Sequence, residues 1–297
     1  MEFIFSKKAK IGFSILMLIG VIAMISGFAT DASEHHNRFW ANVLVNGFFF
    51  FAISLGALFF LALQYATEAS YMVALKRVIE GISQFIFVGA IILVIVFAAG
   101  SFHFHHLYHW MDVSVYYEYV MQATMDSAHP EYVHQMVEGA VENEHYDSII
   151  AGKAAYLNQP FFWLRTILYL GVWCFFAYLF RKRSLMEDEL GGTKIHFKNM
   201  TYAAIFLVFF AFTSSTASWD WIMSIDTHWF STLFGWYVFS GMWVSFMIFF
   251  VLISIWLRNK GYLPYVNDSH IHDAGTWMFA IRFLWTYLWF SQFMLIW

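Results

Sequence analysis

Fifteen consecutive apolar residues, Phe85-Ile-Phe-Val-Gly-Ala-Ile-Ile-Leu-Val-Ile-Val-Phe-Ala-Ala99, decide the fold. They neither alternate, as lipid-facing strands of a barrel do, nor carry the polar stripe of a surface helix, so they read as a helix immersed in apolar surroundings on every side. Ile11–Phe28 is a second such run, interrupted only by Ser14 and Ser26. The whole chain agrees with these two segments: of 297 residues 61% are hydrophobic and only 12% charged. That is too little polar surface to cover a water-soluble globule, so the bilayer is the solvent. A single cysteine, Cys174, excludes a disulfide scaffold and any cysteine-ligated cluster held by this chain alone, and the lack of Cys-x-x-Cys-His excludes covalent c-type haem.

A transmembrane helix needs roughly 20 predominantly apolar residues. Seven segments qualify, at about 11–30, 41–65, 81–102, 161–180, 200–217, 233–257 and 276–297. Residues 1–30 have the basic start of a signal peptide, but the apolar run is too long and no Ala-x-Ala site follows, so an uncleaved first helix is expected. The last run reaches Trp297 without a polar cap, and is expected to continue into further helices.

Lysine and arginine sort to one side of this layout. Lys7, Lys8 and Lys10, then Lys76 and Arg77, then Arg181, Lys182, Arg183, Lys194 and Lys198, then Arg258 and Lys260 make 12 of the 16 basic residues. Only Arg38 and Lys153 fall in the opposite loops, while Arg165 and Arg282 lie within spans. The positive-inside rule therefore puts the amino terminus in the cytoplasm and the 103–160 loop in the periplasm. The chain divides into spans one to three (1–102), a periplasmic loop (103–160) and spans four to seven (161–297). That loop holds eight acids against one lysine and reads as an amphipathic helical cap, either solvated or docking a basic redox partner.

Ten of the 13 histidines lie on the periplasmic side of this layout. His103, His105, His106 and His109 crowd, with Asp112, at the end of the third span. If the helix continues there, His105 and His109 share a face at i, i+4, and His106 and His109 are neighbours at i, i+3. Such a group can hold a metal or haem iron, bond a quinol hydroxyl or relay protons; it is also what a wetted helix end or a subunit contact looks like.

The stretch 218–237, Ser-Trp-Asp-Trp-Ile-Met-Ser-Ile-Asp-Thr-His-Trp-Phe-Ser-Thr-Leu-Phe-Gly-Trp-Tyr, is the most distinctive. Trp219, Trp221, Trp229 and Trp236 suit a headgroup interface. Asp220 and Asp226 are costly near membrane depth unless paired, and Arg165 and His228 are the available partners, for structure or for a proton or quinol role. On the basic side Gln64, Tyr65, Thr67 and Glu68 can form the mouth of a polar path, with Glu80 nearby. The alternative is that these acids sit at the interface beside Lys76 and Arg77. Arg282 is a further intramembrane candidate. Gly235, Gly241 and Ser245 offer close helix approach.

The pattern Ser-x-Asp-Trp-x-Met-Ser-x-Asp-x-x-Trp-x-Ser-Thr-x-Phe-Gly, followed by Trp-Phe-Ser-Gln-Phe-Met-Leu-Ile-Trp at 289–297, resembles the integral membrane subunits of alternative complex III, a bacterial quinol:cytochrome c oxidoreductase. Within that complex it resembles the F-type subunit (ActF), a relative of the NrfD and polysulfide-reductase membrane anchors. Thr227-His228 stands where family members usually have a proline. The resemblance implies a bundle of about ten helices, of which seven are shown, in a bacterial inner membrane. It implies no cofactor on this chain, with iron–sulfur clusters and haem c in partner subunits and quinol as a possible ligand.

The partners so implied are the iron–sulfur protein, the haem c subunits and a second NrfD-like subunit, with a terminal oxidase or cytochrome c as acceptor; lipid surrounds them, and nucleic acid is not expected. On this reading the chain supplies scaffold and a proton path, with Asp220, Asp226, His228 and Arg165, and the His103–Asp112 group, on the outer side and Glu68 on the inner. A purely structural anchor that docks an external electron-transfer subunit is the alternative. A haem-binding membrane cytochrome is a third, which a visible spectrum without a Soret band removes.

Overall fold

The computed structural model describes residues 6–125 and 130–296. Met1–Phe5, 126–129 (with Asp126 and His129 of the acidic, histidine-rich loop) and Trp297 lie outside the described residues. The chain is a multi-pass helical membrane protein, with seven helices among the described residues long and apolar enough to cross a bilayer. They are α1 (Lys7–Thr30), α2 (Asn37–Ala66), α3 and α4 (Lys76–Ser83 and Ile86–Ser101, one span), α6 (Gln159–Leu190), α7 (Lys194–Trp221), α8 (Phe234–Asn259) and α9 (Asp268–Ile296). A short helix, α5 (Ser148–Gly152), precedes α6. Each span runs past its apolar stretch because polar ends stay helical outside the hydrocarbon, as the Arg181–Leu190 extension of α6 shows.

Local sequence sets the ends. Ser6 caps α1 through the Ala9 N–H, and Asn158 caps α6 through the Phe161 N–H with Pro160 in the first turn, where a missing N–H has no cost. Tight turns at Gln84 and Phe85 separate α3 from α4. Helix α2 is the hub: Phe51, Leu58 and Phe60 are fully buried on it. It packs against α3, α4, α7 and α8. Gly56 makes this possible, since a Cβ there would lie 2.8 Å from Phe246 Cβ and 3.1 Å from the Met242 carbonyl of α8. Gly235 meets Ser215 and Gly241 meets Trp285 in the same way. In contrast α1 buries no residue.

The 103–160 segment departs from the expected helical cap. Besides α5 and several 3₁₀ turns it contains a small antiparallel sheet, β1 (Tyr119–Met121) between β2 (Tyr132–Val133) and β3 (Ala140–Glu142). Val120 faces Tyr132 on one side and Val141 on the other. β-branched and aromatic residues favour this pairing, and only Val120 and Ala140 of the three strands are buried. Trp221 also departs from expectation. It is 1% exposed, at the aromatic centre of the bundle with Phe51, Phe97 and Trp173, rather than at a headgroup interface. Helix α7 continues to this residue and turns the ring inward, where its N–H donates to Thr166 Oγ1 at 3.1 Å.

Candidate functional site

Two groups of polar side chains sit at the end of the bundle that carries the 103–160 segment, and one at the opposite end. The most buried group joins α6 to α7. Arg165 lies on the second turn of α6 and Asp220 on the last turn of α7, and both are withdrawn from solvent. The guanidinium grips the carboxylate with two parallel bonds, Nε to Oδ2 at 2.8 Å and Nη2 to Oδ1 at 2.9 Å. Nη1 donates to the Tyr156 carbonyl at 3.2 Å, while the rings of Tyr156 and Phe161 stack on the guanidinium at 3.9 and 4.1 Å. The hydroxyls of Tyr156 and Tyr169 face the same carboxylate. Burial, and then the Asp220 charge, pushes the Tyr156 phenol well above its ordinary value. A fork-to-fork bond of this kind is the strong form of an ion pair, and a carboxylate held this way is rigidly oriented.

Asp226 and His228, although close in sequence, do not join that group. Asp226 is exposed and accepts the backbone N–H of His228 at 3.2 Å. The His228 ring turns toward the cap, with Nε2 2.8 Å from Asp147 Oδ2. The cause is the 3₁₀ turn at Met223–Ile225, which carries the chain out of the bundle after Ser224 has bonded the Asp220 carbonyl at 2.5 Å.

The histidine group forms without the helix that the i, i+4 spacing assumes. Helix α4 ends at Ser101, and His103 adopts a left-handed φ of 59°. The chain then folds back, so that His103 Nδ1 and His106 Nδ1 each stand 3.1 Å from Asp112 Oδ1, with His109 Nδ1 3.5 Å from Oδ2. His105 is not part of the group. It points inward, 2% exposed, where Nε2–H donates to the Val96 carbonyl at 3.0 Å and Nδ1 accepts the Leu107 N–H at 3.3 Å. Gly100 admits the ring, since a Cβ there would lie 3.0 Å from His105 Cε1. Burial lowers the His105 pKa. With both nitrogens engaged, His105 is not poised as an axial ligand.

At the opposite end Glu80 is fully buried on α3, and its Oε2 accepts from Arg77 Nη1 and Arg181 Nη1, both at 2.6 Å. Arg77 also bonds Asp188, and Lys76 bonds Glu187 at 2.9 Å. Glu68 is exposed, at a left-handed φ of 51°, and lines a cavity of about 440 Å³ with Gln64, Tyr65, Lys76 and His196. The Gln64 carbonyl oxygen is buried there without a hydrogen-bond partner among the described residues. Thr67 is turned back to the Leu63 carbonyl. Sequence reasoning named Glu80 without its second arginine, because the Arg181 contact spans 101 residues and leaves no local pattern.

These features define a polytopic membrane protein with charged groups buried near both ends of its bundle. Comparison with protein-family models and with characterised proteins finds no match to the chain.

Proposed function

We propose that this chain is an integral subunit of a respiratory quinol:cytochrome c or oxidase oxidoreductase of the alternative complex III type. In that complex it provides helix scaffold and a proton-carrying group at Arg165–Asp220. It sits in a bacterial inner membrane with the 103–160 segment in the periplasm, and iron–sulfur clusters and haem c belong to partner subunits. The buried Arg165–Asp220 pair carries this reading. An ionised pair within a bilayer-spanning bundle is expensive, and such groups mark ion or proton routes by default. The motif that supplies Asp220 is the one that resembles the family. Arg282 adds support: it is exposed near the middle of α9, which calls for a polar protein surface against it.

The test is Asp220→Asn in the assembled complex, reconstituted in vesicles. Quinol oxidation and proton movement are expected to fall at least about tenfold with unchanged subunit content. Parental rates with Asp220→Asn reduce the pair to a structural role and leave the scaffold function alone.

A second reading, an anchor that docks an external electron-transfer protein, is favoured by one observation: Glu118, Glu131, Glu138, Glu142 and Glu144 are all exposed on the 103–160 segment. Association through this face weakens as salt shortens the Debye length from about 10 Å at 0.1 M to about 3 Å at 1 M. Retention of partner subunits in 1 M salt counts against it.

A further inference from the structure

We propose that His103, His106 and Asp112 form a binding site for a divalent transition-metal ion, zinc being the best fit. One ligand atom from each residue lies within 4.8 Å of the others. The closer approaches, 3.1 Å from Asp112 Oδ1 to His103 Nδ1 and to His106 Nδ1, match the ligand-to-ligand edge of about 3.3 Å that tetrahedral zinc with bonds of about 2.0–2.1 Å requires. His103 is half exposed, so rotation of its ring closes the remaining gap.

The donor set also selects the ion. Two imidazoles and one carboxylate suit zinc, copper or nickel, whereas magnesium and calcium favour oxygen alone. Three imidazoles otherwise compete for a single carboxylate, since His109 also approaches Asp112. A cation lets the two ring nitrogens act as acceptors, their protons residing on Nε2. Its charge is offset by Asp112 and by Glu34, which lines the same open cavity of about 930 Å³.

The surroundings hold the ligands in place. His106 donates its backbone N–H to Asn37 Oδ1 on α2 at 2.9 Å, and the His35 ring packs on its imidazole at 4.3 Å. His103 reaches the site through a left-handed backbone, a conformation disfavoured for a residue with a Cβ. The fourth position is open to the cavity, and water fills it in an exchangeable site. The site depends on no property of the quinol-oxidising complex, so its test is separate.

The full chain, purified from membranes without a histidine tag and stripped with chelator, is titrated with Co²⁺ and then Zn²⁺. One Co²⁺ per chain, with the intense d–d bands of four-coordination and displacement by Zn²⁺, is expected. His103→Ala, His106→Ala and Asp112→Ala each lower affinity at least about tenfold, and His270→Ala, at the other end of the bundle, leaves it unchanged. His106→Cys keeps the ion and adds a thiolate-to-cobalt charge-transfer band, which no loss of folding can imitate. The absence of Co²⁺ and Zn²⁺ binding at micromolar concentration in the parental chain overturns the proposal. So does parental affinity for Co²⁺ and Zn²⁺ in all three ligand variants.

Discussion

Arg165 and Asp220 meet as a two-pronged ion pair, 2.8 and 2.9 Å, across the α6–α7 contact. Arg165 is 7% exposed and Asp220 0%, so neither charge can recover water if its partner is removed. Asp220→Ala is therefore expected to cost about 3–5 kcal/mol, with Asp220→Asn milder because an amide still accepts from the guanidinium. The double variant Arg165→Met/Asp220→Leu restores most of the lost stability while leaving no proton-carrying group. Thermal unfolding of the detergent-purified chain measures all three, and a double variant no more stable than Asp220→Ala contradicts the explanation.

The Glu80 group is asymmetric where the Arg165–Asp220 pair is not. The carboxylate is buried, but side chains of its partners Arg77 and Arg181 are 38% and 34% exposed and can hydrate when it is lost. Glu80→Ala is expected to cost about 1–2 kcal/mol, less than Asp220→Ala. The double variant Arg77→Ala/Arg181→Ala strands the buried carboxylate and costs about 3 kcal/mol or more. Thermal unfolding in the same detergent ranks the variants, and equal losses count against hydration of the arginines.

Gly56 tests the central crossing. A valine there drives its Cβ to 2.8 Å from Phe246 and 3.1 Å from the backbone carbonyl of Met242, and backbone cannot swing aside as a side-chain tip does. Gly56→Val is expected to destabilise by about 1–3 kcal/mol. Gly171→Ala, where nothing lies within 4 Å of the added Cβ, is expected to be neutral or slightly stabilising. Thermal midpoints that fail to separate the two variants remove the close α2–α8 approach as a constraint.

His105 predicts a pH dependence. Burial lowers its folded-state pKa below the unfolded value of about 6.5. At pH above 6.5 both states are neutral and the stability it contributes is fully present. As pH falls toward the folded pKa the unfolded chain takes up the proton first, and stability is lost. Melting temperatures measured between about pH 8 and pH 5 are expected to fall more steeply for the parental chain than for His105→Gln, which cannot protonate. Parallel profiles remove His105 as the source.

How much of this was legible depends on the range over which each feature is encoded. The spans were plain because runs such as Phe85–Ala99 have no other stable environment. The partnership of Arg165 with Asp220 was within reach because few charges occur inside spans. The histidine cluster was legible as composition but not as geometry: neither glycine nor proline stands at His103 to announce that the helix stops there. The sheet in the 103–160 segment escaped notice because its strands are two or three residues long, and such short segments show no period. Trp221 was misplaced because an indole suits a headgroup interface and an aromatic core equally well, and only its neighbours Phe51, Phe97 and Trp173 decide between them.

The contrast between α1 and α2 gives the last prediction. Both are equally suited to lipid by sequence, yet Leu16 on α1 is 63% exposed while Leu58 on α2 is 0%. Lipid contact replaces protein contact for Leu16, since a lipid tail solvates a leucine about as well as a neighbouring side chain does. Leu58→Ala leaves a cavity in the bundle and is expected to cost about 2–5 kcal/mol, whereas Leu16→Ala changes stability by less than about 0.5 kcal/mol. Denaturation of the purified chain distinguishes them. A cost at Leu16 that appears only in the native membrane assembly, and not in the isolated chain, means that α1 is buried there by a neighbouring helix rather than by lipid.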